Sequence, residues 1–344
     1  MRDGLCYDDV LLVPQYSEVE TRSKVDLSVK LDSLKFDHPI IPANMLTVTG
    51  RDMAWAVLES GGLAILNRFI ASKEQVEIAE YLMQETPNRV YPSAKNHFAA
   101  SVGVQPSDKE MVKSFYDVGV RIFCVDVAHG DSKQCVEMVK WIKNNYNVFV
   151  IAGNVATGAG AKRLWEAGAN AVKVGVGPGS LCTTRIETGN GVPQLSALMD
   201  VSIVQSEMTA RMVKRQFPII ADGGIKSAGD VVKALCLADM VMIGNMFAGC
   251  DEAPGNKIYG GDGSYYKEYV GSSTHKTSHV EGVAAMVPYR GSYQQVLTKL
   301  LEGLRSGMSY QNANNLEELR ENAEFIRITS AGLRESHPHD VIIK

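Results

Sequence analysis

The chain has 344 residues, of which 45% are hydrophobic and 22% charged, with a formal net charge of −4. This composition is typical of a globular protein and excludes a disordered or low-complexity chain. Acidic and basic residues are mixed throughout, so there is no basic stripe that could grip a nucleic-acid backbone. No stretch approaches the roughly 20 apolar residues of a membrane span. We therefore expect neither nucleic-acid nor membrane partners.

The cysteines predict a reducing environment. Six of them are scattered without any C-x-x-C pair, and several lie inside apolar runs, where a buried free thiol is the usual state. We therefore expect a cytoplasmic protein. Only Cys182 has neighbours that suggest chemistry.

The fold is predicted by short, continuous apolar runs, each followed by a segment with helical spacing. Continuous runs are typical of strands that are buried on both faces. Eight such runs occur: Pro39–Pro42, Leu63–Leu66, Ala99–Val104, Ile122–Val127, Val148–Ala152, Ala171–Val176, Pro218–Ala221 and Met240–Ile243. The amphipathic segments between and after them are Asp52–Leu58, Lys73–Met83, Ser132–Lys143, Ala159–Ala167, Ala228–Leu237 and Tyr293–Arg305.

Alternating strands and helices predict a parallel sheet with right-handed crossovers. Eight such units favour a single-domain (β/α)8 barrel, with an open doubly wound sheet as the alternative. The barrel is favoured because polar or glycine-rich tips follow nearly every strand, and the active sites of barrels form there. These tips are Asn44-Met45, Asp126, Gly153-Asn154, Gly175–Ser180, Asp222–Gly224 and Gly244-Asn245.

Three segments stand apart from the repeating units. Strands six and seven are joined by Gly177–Phe217, which we interpret as a loop whose length suggests a function. Residues 250–291 are rich in Gly, Ser, Tyr and Lys, and we interpret them as a mobile flap. A polar tail covers residues 325–344.

The strongest chemical signal is the segment Gly175–Arg185. Its glycines let backbone amides approach an anion closely, and Ser180 adds a hydroxyl, so phosphate recognition is a natural interpretation. Cys182 lies on the same loop, where a thiolate could face a bound ligand. Asp222 could accept hydrogen bonds from ribose hydroxyls while Gly223 and Gly224 admit a phosphate, and Gly244-Asn245 matches the usual phosphate position after strands seven and eight of a barrel. The alternative is a glycine-rich turn with an incidental thiol.

The motifs resemble one family nearly end to end. Gly177–Arg185 followed by Thr188–Gln194 is similar to the catalytic loop of the IMP dehydrogenase and GMP reductase family. Further matching segments are Tyr7–Pro14, Pro42–Met45, Asp126–Gly130, Ala152–Val155, Ala221–Ile225, Tyr266–Tyr269 and Val287–Gly291.

The resemblance implies a role for each matching residue. Cys182 would attack carbon 2 of a purine 5′-monophosphate, while Thr184 and Glu281 would handle the proton and the entering or leaving nitrogen. Such covalent attack divides a difficult step into two easier ones. Residues implied to bind GMP or IMP are Met45, Asn154, Ser180, Asp222, Gly223, Gly224, Gly244, Asn245, Tyr269, Glu281 and Gly282.

The resemblance also implies a nicotinamide cofactor, a potassium ion and an oligomer. Asp126, Ala128, His129 and Thr183 would meet the cofactor. Backbone carbonyls of Gly177, Gly179 and Cys182 would bind potassium, completed by Glu335–His337 of a neighbouring subunit. A homotetramer is implied, with an octamer as the alternative.

Two activities remain open within this family. A dehydrogenase oxidises IMP with NAD and then hydrolyses the adduct with an Arg-Tyr pair on its flap, whereas a reductase expels ammonia from GMP and uses NADPH. The segment Gly271–Glu281 contains neither Arg nor Tyr, and this absence favours the reductase. The short Asn67–His97 segment leaves no room for the CBS regulatory domain that many dehydrogenases carry at this position.

Other observations keep the alternatives open. Gly303–Met308 and Arg327–Asp340 resemble bacterial dehydrogenases, and His275, Lys276 or His279 could replace the missing Arg. A nucleotide-binding regulator without activity is a further hypothesis, which Cys182, Thr184 and Glu281 oppose. A barrel aldolase would use Lys173, although this lysine is expected to pair with a carboxylate inside the barrel.

Overall fold

The computed structural model describes residues 3–89, 94–212, 215–271 and 283–341. Its centre is a sheet of eight parallel strands, and all eight predicted strands are present. They are β1 (Ile40–Pro42), β2 (Ala64–Leu66), β3 (Phe98–Val102), β4 (Ile122–Asp126), β5 (Phe149–Val155), β6 (Ala171–Val174), β7 (Ile219–Asp222) and β8 (Met240–Ile243). The ladders run in the order β1-β8-β7-β6-β5-β4-β3-β2. The strands thus form a nearly closed (β/α)8 barrel, as predicted.

Helices surround the barrel and connect its strands. They are α1 (Arg51–Glu59), α2 (Ser72–Arg89), α3 (Pro106–Asp117), α4 (Lys133–Asn145), α5 (Gly158–Glu166), α6 (Thr184–Thr188), α7 (Gln194–Arg211), α8 (Ala228–Leu235), α9 (Asn245–Ala248), α10 (Tyr293–Tyr310), α11 (Leu316–Asn322) and α12 (Ser330–Glu335). Among the described residues, no helix combines the length and apolar character needed to cross a membrane.

Local sequence explains where several helices begin. The side chains of Ser132, Thr157 and Ser227 each accept a hydrogen bond from a backbone N–H in the first turn of α4, α5 and α8. These contacts satisfy amides that have no partner within the helix. Each helix then turns its apolar face to the barrel, whose strands are buried almost throughout.

Smaller sheets lie outside the barrel. Val10–Leu12 pairs antiparallel with Phe325–Arg327, so the first residues of the predicted tail are anchored to the N-terminal segment. Val29–Leu31 and Leu34–Phe36 form a hairpin.

The segment between strands six and seven was wrongly interpreted as a loop. It contains the short helix α6 and the long helix α7, which was missed although Leu195, Leu198 and Val201 recur on one buried face.

The predicted flap contains regular structure in its described part. Lys257–Tyr259, Tyr265–Val270 and Ala284–Pro288 form a three-stranded antiparallel sheet. The segment 272–282 between the last two strands lies outside the described residues.

Helices α8 and α10 pack closely against each other at two glycines of α10. A Cβ at Gly303 would overlap the side chain of Ala228, and one at Gly307 would lie 2.5 Å from Val232 Cγ2. The helices can approach this closely only because α10 carries no side chain at these two positions.

We expect Gly303→Ala to destabilise the protein. Alanine favours a helix over glycine by up to about 1 kcal/mol, but overpacking a close contact costs about 1–3 kcal/mol, so the clash should prevail. Urea denaturation measures the difference. Gly229→Ala in α8 is the matched control, because its Cβ would meet only Ser227 Oγ at 3.6 Å. Equal or higher stability of Gly303→Ala would contradict the close packing.

Candidate active site

A buried lysine lies where the tips of β4, β6 and β7 meet. Lys173 Nζ lies 2.8 Å from Asp126 Oδ1 and 2.9 Å from Asp222 Oδ2, and the lysine side chain is 2% exposed. Burial acts to lower the pKa of Lys173, but the two carboxylates outweigh it and hold the pKa above its ordinary value. The pairing expected from the sequence is confirmed, with two carboxylates rather than one. The lysine therefore holds two predicted ligand-binding residues beside each other.

Asn154 extends this network from β5. Its Nδ2 donates to Asp222 Oδ2 at 2.8 Å and to the carbonyl of Gly175 at 2.9 Å. Since both partners are acceptors, the amide orientation is determined by the network. Asn154 Oδ1 is buried and has no hydrogen-bond partner among the described residues. This acceptor, on a residue predicted to bind the nucleotide, is therefore available to a ligand.

The Cys182 loop follows β6 and ends at α6. Cys182 Sγ lies 3.1 Å from Thr184 Oγ1, and the Cys182 N–H donates to the carbonyl of Gly179 at 3.0 Å. Cys182 is half-buried, whereas burial raises the pKa of four other thiols to about 12, namely Cys124, Cys135, Cys236 and Cys250. A thiol must ionise to act as a nucleophile, so these four are poor candidates.

The turn after β7 packs directly against this loop. Gly223 has φ +95°, and a Cβ there would lie 3.0 Å from Pro178 Cγ and 3.3 Å from the Gly179 nitrogen. Ser180, on the same loop, is exposed. The two glycine-rich segments therefore lie against each other, an arrangement that is compatible with the predicted phosphate site.

The tip of β8 meets the flap sheet. Gly244 has no room for a side chain because the hydroxyl of Tyr269 occupies that space, and this hydroxyl lies 3.6 Å from Met45 Sδ. Burial, followed by the charge of Asp222, raises the pKa of Tyr269, so its hydroxyl stays protonated at neutral pH. Asn245 begins α9 directly beside it. The structure thus brings the four predicted residues of this group together.

The predicted cofactor residues occupy two places. Ala128 and His129 lie on the loop after β4, which the Gly130 N–H joins to the carbonyl of Asn154 at 2.7 Å. Thr183 occupies the N-cap position of α6 without making a side-chain capping bond. Its Oγ1 is buried with no hydrogen-bond partner in the described ranges. Asp126 uses Oδ1 for Lys173, which leaves Oδ2 available for a ribose hydroxyl.

Some site residues were missed by sequence reasoning. Arg68, after β2, donates from Nε to the carbonyl of Asp126 at 3.1 Å. Gln194 donates from Nε2 to the carbonyl of Val174 at 2.7 Å and of Asp222 at 3.3 Å. Arg68 follows a strand, and this position could have identified it, whereas the role of Gln194 depends on the missed helix α7.

Two predicted residues lie outside the described part of the chain. These are Glu281 and Gly282, so their assignments stay predictions. The same applies to His275, Lys276 and His279.

We expect Lys173→Met to destabilise the fold strongly. Removing one partner of a buried ion pair costs about 3–5 kcal/mol, and the lower end applies here because both carboxylates retain some contact with solvent. Their side chains are 19% and 20% exposed. Urea denaturation at pH 7 measures the loss. Lys162→Met is the control, since its pair with Glu166 at 3.9 Å is exposed. Equal effects of the two substitutions would refute the buried role.

Comparisons with known proteins identify the family. A family model described as the IMP dehydrogenase / GMP reductase domain matches residues 4–339. An inosine-5′-monophosphate dehydrogenase of Aquifex aeolicus is 35% identical, covering 100% of this chain and 96% of that protein, and one of Nitrosopumilus maritimus is 31% identical with 99% of each covered.

A solved structure is also similar over its whole length. It is a cysteine-to-alanine variant of the GMP reductase of Trypanosoma brucei in complex with guanosine 5′-monophosphate, with a TM-score of 0.89, 30% identity and 99% of each chain covered. The barrel fold is thus shared with this enzyme. The chain belongs to the IMP dehydrogenase / GMP reductase family and is an NAD(P)-dependent oxidoreductase acting on a purine nucleotide.

Proposed function

We propose that this chain is a GMP reductase, which converts GMP to IMP and ammonia with NADPH. The observation that carries the proposal is the composition of Gly271–Glu281, which contains neither Arg nor Tyr. Hydrolysis of a thioimidate adduct needs a group that activates water. A reductase has no such requirement, because its adduct accepts a hydride. The similarity to the solved GMP reductase supports the same activity.

The described residues include groups that would bind the nucleotide. Its phosphate would contact Ser180, Gly223, Gly224, Gly244 and Tyr269, since the Gly223 turn packs on the Cys182 loop, the Tyr269 hydroxyl lies against Gly244, and Tyr269 keeps its proton. The ribose would bind Asp222 Oδ1, because Oδ2 already accepts bonds from Asn154 and Lys173. Met45 and the free Oδ1 of Asn154 would then contact the base.

The proposed reaction begins with the attack of Cys182 on carbon 2 of the purine. A bond forms between Sγ and carbon 2, and the bond to the exocyclic nitrogen breaks as ammonia leaves with a proton. Thr184, which lies 3.1 Å from the thiol, and Glu281 would move the protons. NADPH supplies the hydride when it is bound. Release of Sγ from carbon 2 then yields IMP.

The cofactor would bind beside Asp126, Ala128, His129 and Thr183. Asp126 Oδ2 and the buried Oγ1 of Thr183 are polar atoms without partners among the described residues, which fits a ligand rich in hydroxyl and amide groups. Lys173 connects Asp126 to Asp222, so the two ligands would lie next to each other.

Potassium and a homotetramer belong to the same proposal. The carbonyls of Gly177, Gly179 and Cys182 lie in one tight loop, and the Gly179 oxygen keeps a lone pair after accepting from Cys182. A cation held by carbonyls fits this loop. The tail with Glu335–His337 is exposed and free to reach a neighbouring subunit.

An IMP dehydrogenase is the second candidate. The two relatives named above carry that name, and Gly303–Met308 and Arg327–Asp340 resemble such enzymes. In this case His275, Lys276 or His279 would activate the hydrolytic water. NAD would be the cofactor.

Two parallel absorbance assays distinguish the candidates. We expect reduced nicotinamide to be consumed with GMP and NADPH, with ammonia released in equal amount. Formation of reduced nicotinamide from IMP and NAD would refute the reductase and establish the dehydrogenase.

Cys182→Ala is the companion variant for both assays. We expect turnover to be lost while GMP binding by calorimetry persists, because the thiol forms the covalent bond but contributes little to the ground-state contacts. Cys236→Ala, a buried thiol in another part of the fold, is the matched control. Retained turnover in Cys182→Ala would remove the covalent mechanism.

A further inference from the structure

The helix that follows Cys182 lacks an apolar anchor. Helix α6 has five residues, none of which is buried, and Ile186 is 84% exposed. Helices this short are unstable alone and depend on tertiary contacts. Because α6 begins two residues after Cys182, its position decides where the thiol lies. Some other contact must therefore hold α6 in place.

Arg185 provides that contact. Its side chain runs from α6 back to the neck of the loop, where the Val192 N–H donates to the carbonyl of Val176 at 3.4 Å. At the neck, Arg185 Nη2 donates to the carbonyl of Val192 at 2.7 Å. One side chain thus joins the helix to the neck.

Two glycines make room for this side chain. A Cβ at Gly177 would lie 2.6 Å from Arg185 Nε, and a Cβ at Gly191 would lie 2.7 Å from Arg185 Cγ. Their φ values of +88° and +152° are also unfavourable for other residues. Both sides of the neck therefore close around Arg185.

Part of the Arg185 guanidinium is enclosed in this position. Arg185 Nε is buried and has no hydrogen-bond partner in the described part of the chain. Burying a donor without a partner costs stability, so packing alone would favour an apolar side chain here. A rigid planar fork, by contrast, can hold two segments in one geometry.

We propose that Arg185 is the positioning residue of the Cys182 loop, which it holds closed across the Val176–Val192 neck so that the thiol faces the nucleotide. This inference rests on the proposed role of Cys182 as nucleophile. Arg185 acts through the loop, and it has no contact with the reacting atoms. Its loss should free the loop without removing any group that binds the nucleotide.

The test compares Arg185→Met with the wild type in two measurements. We expect turnover at saturating nucleotide to fall by ~10- to 100-fold, as a misplaced reacting group does. We also expect alkylation of Cys182 by iodoacetamide, followed by mass spectrometry of its peptide, to become faster, because the half-buried thiol becomes exposed. The pairing of slower turnover with faster alkylation is the signature of positioning.

Two control variants separate positioning from a general effect of removing an arginine. Arg211→Met, at the exposed end of α7, should match the wild type in both measurements. Arg185→Lys, which keeps the charge and most of the stem, should lie between the wild type and Arg185→Met, and replaces the latter if Arg185→Met does not fold. Unchanged alkylation, or a parallel fall in both rates, would overturn the proposal. Alkylation needs no substrate, so it remains informative even if the wild type acts on neither nucleotide.

Discussion

The contact of Lys173 with two carboxylates organises the centre of this barrel. An ammonium group buried in an apolar barrel would be costly alone, and two carboxylates at the strand ends would repel each other. Together they compensate, with Nζ lying 2.8 and 2.9 Å from the two oxygens. The pair uses one oxygen of each carboxylate, and the proposed function assigns the other oxygen of Asp126 and of Asp222 to a ligand. The site depends on this ion pair to keep both carboxylates in place.

Glycine-rich tips complete the site around this centre. The turn with Gly223 packs on the Cys182 loop, and Gly244 admits the hydroxyl of Tyr269. Side chains at either position would separate segments that need to touch. Equally close packing occurs at the neck of the loop, where two glycines enclose Arg185. Close backbone approach thus decides both the shape of the proposed nucleotide-binding site and the position of the thiol.

Much of this arrangement could be predicted from the sequence. Eight apolar runs indicated the strands because strands buried on both faces are continuously apolar, and the tips after them identified Cys182, Asn154, Asp222 and Gly244. The boundaries differed by a few residues, as for β5, which extends to Val155. Helix α7 was missed because the whole of Gly177–Phe217 was interpreted as one loop, although leucine and valine recur at helical spacing on its buried face. The described part of the flap forms a sheet because Tyr265–Val270 finds partners on both sides, which depends on chain segments far apart in the sequence.

The sequence by itself determined the family, the barrel and the set of side chains that can carry chemistry, because periodicity and motif spacing are local properties. Only the tertiary structure decided which of these side chains touch. Lys173 pairs with two carboxylates on different strands rather than with one. Arg185 donates to the carbonyl of Val192, seven residues further along the chain. Likewise, only the folded structure shows that buried polar atoms of Asn154 and Thr183 find no hydrogen-bond partner among the described residues. Contacts of this kind depend on side-chain direction and on segments brought together by folding, for which a linear pattern carries no signal.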